Sequence, residues 1–118
     1  MRGEIWTVAG GGVYAGKPRP AVIVQGDAFD ATGSVTLCFF TTDATEAPLF
    51  RVPVDATVEN GLASRSSLMV DKITTVPRGK LGKLVGRLGD GDRIRLNRAM
   101  MVFLGLADTP RAPSHLGS

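Results

Sequence analysis

Histidine and cysteine, which carry most metal and nucleophile chemistry, occur once each in this 118-residue chain, at His115 and Cys38. Their separation leaves no metal set of His/Cys spacing and no Ser-His-Asp or Cys-His device. His115 falls in a loose Pro-containing terminal stretch, a poor place for a positioned general base. Gly10-Gly11-Gly12 is followed neither by Gly-Lys-Ser/Thr nor by a helical pattern, so it reads as a flexible hairpin loop and not as a phosphate loop. An active site in this chain must therefore draw on Arg, Lys, hydroxyl and carboxylate groups.

Such a set suits RNA cleavage. The ribose 2′-hydroxyl is itself the nucleophile, so a protein needs only to orient it, assist proton transfer and stabilise the charge that develops on phosphorus. Guanidinium offers five donors in a planar fork that fits phosphate oxygens. Arg19, in the turn Gly16-Lys17-Pro18-Arg19-Pro20, lies between two prolines that restrict its backbone, so its side chain is delivered at little entropic cost. On these residues alone, a surface arginine in a Pro-rich turn is the competing reading.

The elements that would position such a group are short strands. Glu4–Val8, Ala21–Gln25, Val35–Thr41, Leu49–Val54, Leu68–Val76 and Leu84–Leu88 are rich in β-formers and separated by Gly, Pro and Asp. Ala21–Gln25 is a continuous apolar run, as expected of a strand buried on both faces. Pro53 lacks a ladder donor and puts its strand at a sheet edge or a bulge. After Gly89-Asp90-Gly91-Asp92 the period changes to that of a helix, from Arg93 to about Leu106, with Asp90 or Asp92 as N-cap. Leu96, Ala99, Met100, Phe103 and Ala107 recur at helical spacing, and Met101, Val102 and Leu104 widen the stripe. That excess of apolar surface calls for cover by the sheet, by a second subunit, or by both. The pattern as a whole predicts a compact antiparallel barrel with a C-terminal helix.

A chain of this length supplies one core and not two, giving a single domain over 1–107 and a flexible tail over 108–118. The composition is 43% hydrophobic and 21% charged, which is globular. No apolar run approaches the roughly 20 residues of a membrane span, and no signal-peptide pattern opens the chain, so a cytoplasmic protein is expected. Cys38 lies in an apolar run and reads as a buried, inert thiol. Residues 1–59 hold 4 Lys/Arg against 7 Asp/Glu, whereas residues 60–118 hold 10 against 4. The basic half is a plausible footprint for a phosphate backbone, with ordinary solvated charge as the alternative.

The order of segments adds a resemblance. Arg2-Gly3-Glu4-Ile5-Trp6, Lys17-Pro18-Arg19-Pro20-Ala21-Val22-Ile23-Val24-Gln25, Phe39-Phe40-Thr41-Thr42, Gly61-Leu62 with Ser66-Ser67-Leu68-Met69-Val70-Asp71-Lys72-Ile73-Thr74-Thr75-Val76, and Gly86-Arg87-Leu88 with Leu104-Gly105-Leu106 resemble, in that order, the segments of MazF/PemK toxins. The resemblance covers residues 2–107. It implies a mainly β fold, an SH3-like small barrel with a C-terminal helix of the MazF/PemK/CcdB type. It further implies a homodimer, a cognate antitoxin partner, and cleavage of single-stranded RNA at specific sequences. No metal or cofactor is implied, and the expected ends are a 2′,3′-cyclic phosphate and a 5′-hydroxyl. Carried over residue by residue, Arg19 and Thr41 are the catalytic pair, with Lys17, Thr42, Ser66 and Ser67 as secondary or RNA-binding candidates. Phe39 stands where the family usually has a proline, which leaves Thr41 and Thr42 competing for one role. The Ala9–Lys17 loop lacks the family's common acidic residue, so the RNA sequence recognised could differ. A CcdB-like gyrase poison on the same barrel is the alternative, but the helix ends in Leu104-Gly105-Leu106-Ala107, without the tryptophan such a poison would use.

Overall fold

A computed structural model of the chain describes residues 1–9, 17–43 and 50–107. The tail 108–118 with His115, the glycines 10–12, and Leu49 lie outside the described residues. Among the described residues, seven strands and one α-helix follow in the order β1 (Glu4–Val8), β2 (Arg19–Ile23), β3 (Ser34–Thr41), β4 (Arg51–Val54), β5 (Ser66–Met69), β6 (Thr74–Pro77), β7 (Leu81–Arg87) and α1 (Asp90–Phe103). All strand pairings are antiparallel. Their order is β4-β5-β3-β2-β1-β7, with β6 on β3. The sheet curls as small barrels do, but β4 and β7 remain its ends among the described residues.

The strand β3 organises the fold. One edge pairs with β2, while the other pairs first with β6 through Ser34–Leu37 and then with β5 through Phe40 and Thr41. The sequence predicts one strand over Leu68–Val76. Instead, a 3-10 turn at Val70–Lys72 divides it into β5 and β6. No Gly or Pro marks this break; it falls between the two stretches that pair with β3, β5 on Phe40 and Thr41 and β6 on Ser34–Leu37.

The apolar run in β2 is buried on both faces, as its pattern requires: Ala21, Val22, Ile23 and Val24 are all buried. Where the length predicts a single core, alternate residues serve two, one on each face of β2 and β3. Val22, Val24, Cys38 and Phe40 pack with Leu68, Val52, Val54 and helix residue Leu96. Ala21, Ile23, Val35 and Leu37 pack with Val8 on the opposite face, with Trp6, Phe39 and Val76 against them. The Pro53 strand β4 ends the strand order, with Pro53 itself exposed.

The helix begins at Asp90, one turn earlier than its apolar period suggests, with Gly89 as N-cap. Asp90 and Asp92 sit in the first turn, where carboxylates meet the positive end of the helix dipole. Leu104-Gly105-Leu106 ends it. Gly105 has φ +74, its N–H donates to the Val102 carbonyl, and the Leu106 N–H donates to that of Met101, the Schellman arrangement. Among the described residues no helix is long and apolar enough to cross a membrane.

Candidate functional site

The register of β2 on β3 pairs Ala21 with Phe39 and Ile23 with Leu37. Continued by two residues, it sets Arg19 across from Thr41. On the other edge of β3, Thr41 pairs with Ser67, and Ser67 pairs with Pro53 of β4. Residues directly opposite in a sheet share a face, so Arg19, Thr41, Ser67 and Pro53 form one row across four strands. A second row, Ala21, Phe39, Met69 and Arg51, lies beside it.

A cleft of about 430 Å³ opens on these rows, lined by Val8, Ala9, Arg19, Phe39, Thr41, Asp43, Arg51, Met69, Lys72 and Val76. Its volume lies within the roughly 300–1,000 Å³ of ligand sites. The floor is apolar, from the same residues that close the second core. The polar groups converge from four places: Arg19 at the start of β2, Thr41 at the end of β3, Arg51 at the start of β4, and Lys72 in the 3-10 turn. Three cations thus share the cleft with one lining carboxylate, Asp43. The arrangement fits a phosphate bridging Arg19 and Thr41 over an apolar floor able to take a base or ribose.

Thr41 is half-buried, and its Oγ1 accepts a hydrogen bond from the Asp43 N–H at 3.1 Å. That contact uses a lone pair and leaves the hydroxyl proton available to a ligand. Thr42 is exposed and does not line the cleft. Lys17 is exposed beside the cleft without lining it. Ser66 is buried on the other face, its hydroxyl donating to the Ser64 carbonyl at 3.1 Å. Ser67 continues the Arg19–Thr41 row just outside the cleft. The structure therefore brings together Arg19 and Thr41 and leaves Lys17, Thr42 and Ser66 outside.

Arg51 is a lining residue that the sequence did not single out. Its Nε lies 3.3 Å from Asp71 Oδ1, with both side chains mostly buried. The pair is within ionic reach but lacks hydrogen-bond alignment: both atoms are buried and neither has a hydrogen-bond partner. Below them lies Cys38, whose thiol is pushed up to about 12 by burial first and by the Asp71 charge second. Arg51 enters the cleft only through the long-range β3–β5–β4 pairing. Lys72 was visible in sequence as part of Asp71-Lys72-Ile73 but gave no sign of facing Arg19.

Among the described residues no group of three His, Cys, Asp or Glu side chains could hold a metal ion. The remaining motif residues build the scaffold. Gly3, at φ +89, turns the chain into β1, and Arg2 hydrogen-bonds through its guanidinium to Asn97 of α1. Glu4 accepts hydrogen bonds from the chain's amino terminus at 2.7 Å and from Trp6 Nε1 at 3.1 Å.

Comparison with known proteins gives a coherent result. Residues 1–104 match the model of the PemK-like, MazF-like toxins of type II toxin–antitoxin systems. A probable endoribonuclease MazF of Mycolicibacterium smegmatis is 55% identical over 106 residues, covering 90% of this chain and 97% of that protein. Among solved structures, the Mycobacterium tuberculosis toxin MazF-mt6 superimposes with a TM-score of 0.71 at 25% identity, covering 86% of this chain and 96% of that one. An endoribonuclease in complex with its cognate antitoxin, from a mycobacterial species, shares the fold at a TM-score of 0.75 and 23% identity, covering 92% and 98%.

Proposed function

The chain belongs to the PemK-like, MazF-like toxins of type II toxin–antitoxin systems, and from that premise and the cleft we propose that it is an endoribonuclease acting on single-stranded RNA. The observation that carries the reading is the placement of Arg19 and Thr41 on one face of adjacent strands, in a cleft that also holds Arg51 and Lys72.

In this reading the scissile phosphate sits between Arg19 and Thr41. Arg19 binds its non-bridging oxygens and stabilises the phosphorane charge; a guanidinium surrenders a proton too reluctantly to be the preferred acid. Thr41 donates its hydroxyl proton to the phosphate or orients the 2′-hydroxyl for in-line attack. The 2′-oxygen displaces the 5′-oxygen, its proton passing to solvent and the departing 5′-oxygen taking one from solvent, which leaves a 2′,3′-cyclic phosphate and a 5′-hydroxyl. Fixed cations supply the charge stabilisation, and no metal takes part. An antitoxin silences the enzyme by occupying the cleft, and activity resides in the cytoplasm. Ile94, Met101, Leu104 and Leu106, all exposed along and just beyond α1, form the surface on which a second copy packs to make a homodimer.

The test is incubation of a long single-stranded RNA with the purified protein in EDTA, beside Arg19→Ala. Discrete cuts are expected from the wild type, with the rate falling about 100- to 1,000-fold in the variant, the usual cost of removing one charge-stabilising donor. Intact RNA together with inhibited gyrase supercoiling would sink the nuclease reading in favour of a gyrase poison.

A further inference from the structure

The row Arg19, Thr41, Ser67 and Pro53 runs beside a second, Ala21, Phe39, Met69 and Arg51. The aromatic ring in that second row carries neither charge nor proton for the cleavage step. Yet Phe39 stands two residues before Thr41 on β3 and lines the same cleft. Strand geometry sets the two Cα atoms about 6.8 Å apart, a separation that one ribose covers between a phosphate and its base.

We propose that Phe39 is the platform on which a nucleobase flanking the scissile phosphate stacks. The proposal rests on the nuclease reading above and adds what holds the substrate beside the phosphate.

Three observations support it. First, the ring is anchored. Phe39 packs against the second core, on Val8, Ala21, Ile23, Val35 and Leu37, but it is only partly buried and lines the cleft. A ring fixed in this way loses little freedom when a base settles on it, and it accepts any base through the π-face. Second, its cross-strand neighbours suit a flat ligand. Ala21, opposite on β2, contributes only a methyl group, so no bulky β2 side chain stands directly beside the ring. Met69, on the β5 side, lines the cleft with a thioether that adapts to aromatic surfaces. Third, apolar and polar groups are divided as they are in a nucleotide. The lining residues Val8, Met69 and Val76 are apolar, whereas Arg19, Thr41 and Lys72 supply the charge and the hydroxyl. The core beneath Phe39 contains no α1 residue, so the ring is not part of the helix surface assigned to a second copy. A proline, usual in the family at this position, has no aromatic face, which makes the platform a feature of this chain.

The test is a mutant cycle between the full chain and a short RNA. Cuts made by the wild type in a long single-stranded RNA locate one site. Short RNAs spanning that site carry a 2′-deoxyribose at the cut, which removes the nucleophile so that they bind without being cleaved. They are made with all bases, or with an abasic sugar on one side or the other of the cut, and fluorescence anisotropy gives Kd. On the complete RNA, Phe39→Leu and Phe39→Met should weaken binding by about 5- to 150-fold, the usual effect of removing one stacking partner. Phe39→Tyr, which keeps the ring, should bind close to wild type. On the RNA lacking the stacked base, wild type and both aliphatic variants should bind alike, because the interaction is already gone. The RNA abasic on the other side should still show the full loss.

Leu and Met both keep apolar bulk over the core, either one suffices, and a drop in folded fraction would act equally on all three RNAs. Equal losses on all three therefore overturn the platform and leave Phe39 as core packing. So does unchanged affinity in both aliphatic variants, or a loss in Phe39→Tyr as large as theirs. With the wild type cutting, any of these sinks the platform and spares the nuclease; absence of wild-type cleavage sinks the nuclease reading and the platform with it.

Discussion

Strand alternation decides which hydroxyl shares a face with Arg19. Thr41 points to the face that carries Arg19, whereas Thr42, one residue on, is exposed and outside the cleft. Thr41→Val keeps the shape and removes the donor. It should slow cleavage by about 10- to 150-fold, from the roughly 1.5–3 kcal/mol of a hydrogen bond to a charged group. Thr42→Val should cut at close to the wild-type rate in the same gel assay, and a larger loss there than in Thr41→Val would exchange the two roles. Cys38 offers a second check at this scale. With its pKa pushed up to about 12 by burial and by Asp71, almost no thiolate exists at pH 8. A disulfide exchange reagent should leave the native protein untouched for as long as it stays folded and titrate one thiol in denaturant. Immediate native labelling would contradict the buried placement.

Among the elements, the loop before β5 shows why certain glycines and one asparagine sit where they do. Asn60 is buried, accepts from the Thr57 and Leu62 N–H groups at 2.9 and 3.0 Å, and donates to the Asp55 carbonyl at 2.8 Å. Gly61, at φ +70, lies so close to β7 that a Cβ would meet the Val85 carbonyl oxygen at 2.3 Å, and one on Gly86 would meet that of Glu59 at 2.4 Å. The Gly61-Leu62 and Gly86-Arg87-Leu88 motifs are thus two sides of one contact. Asn60→Ala leaves buried donors unpaired, each at about 1–3 kcal/mol. The melting temperature should fall by about 4–8 °C per kcal/mol, with residual folded protein still cutting RNA; a change under about 2 °C, by circular dichroism, would mean that water replaces the amide.

These elements also show what sequence could and could not convey. Strand positions and the helix followed from local periodicity, and the two-faced burial of β2 from its unbroken apolar run. The 3-10 break at Val70–Lys72 had no local marker, because it separates two pairings with distant β3, β5 on Phe40 and Thr41 and β6 on Ser34–Leu37. Arg19 and Thr41 emerged from motif order, but their alignment, and the presence of Arg51 beside them, depend on pairings between residues far apart in the chain.

For the molecule as a whole, one ionisable group ties the ends of the fold together. The Glu4 carboxyl is held below its usual range chiefly by the hydrogen bond from the amino terminus, then by Trp6 and the Arg87 charge, against the opposing effect of burial. A carboxylate with a depressed folded pKa adds stability above its unfolded pKa of about 4.3, and that contribution is lost as pH falls through the folded value. The melting-temperature gap between wild type and Glu4→Gln should therefore be widest near neutrality and shrink on acidification below about pH 4. A gap that grew toward low pH would reverse the assigned sign.

The placement of Arg19 and Thr41 on β2 and β3 has a consequence for how the protein is switched off. Both strands are central in the order β4-β5-β3-β2-β1-β7, and the residues alternating with the site pair form both cores. Fraying of the outer strands leaves that centre intact, so opening it amounts to global unfolding. In the proposed reading, distortion of the strands is therefore a poor brake on this chemistry, and reversible silencing comes from something laid over the cleft.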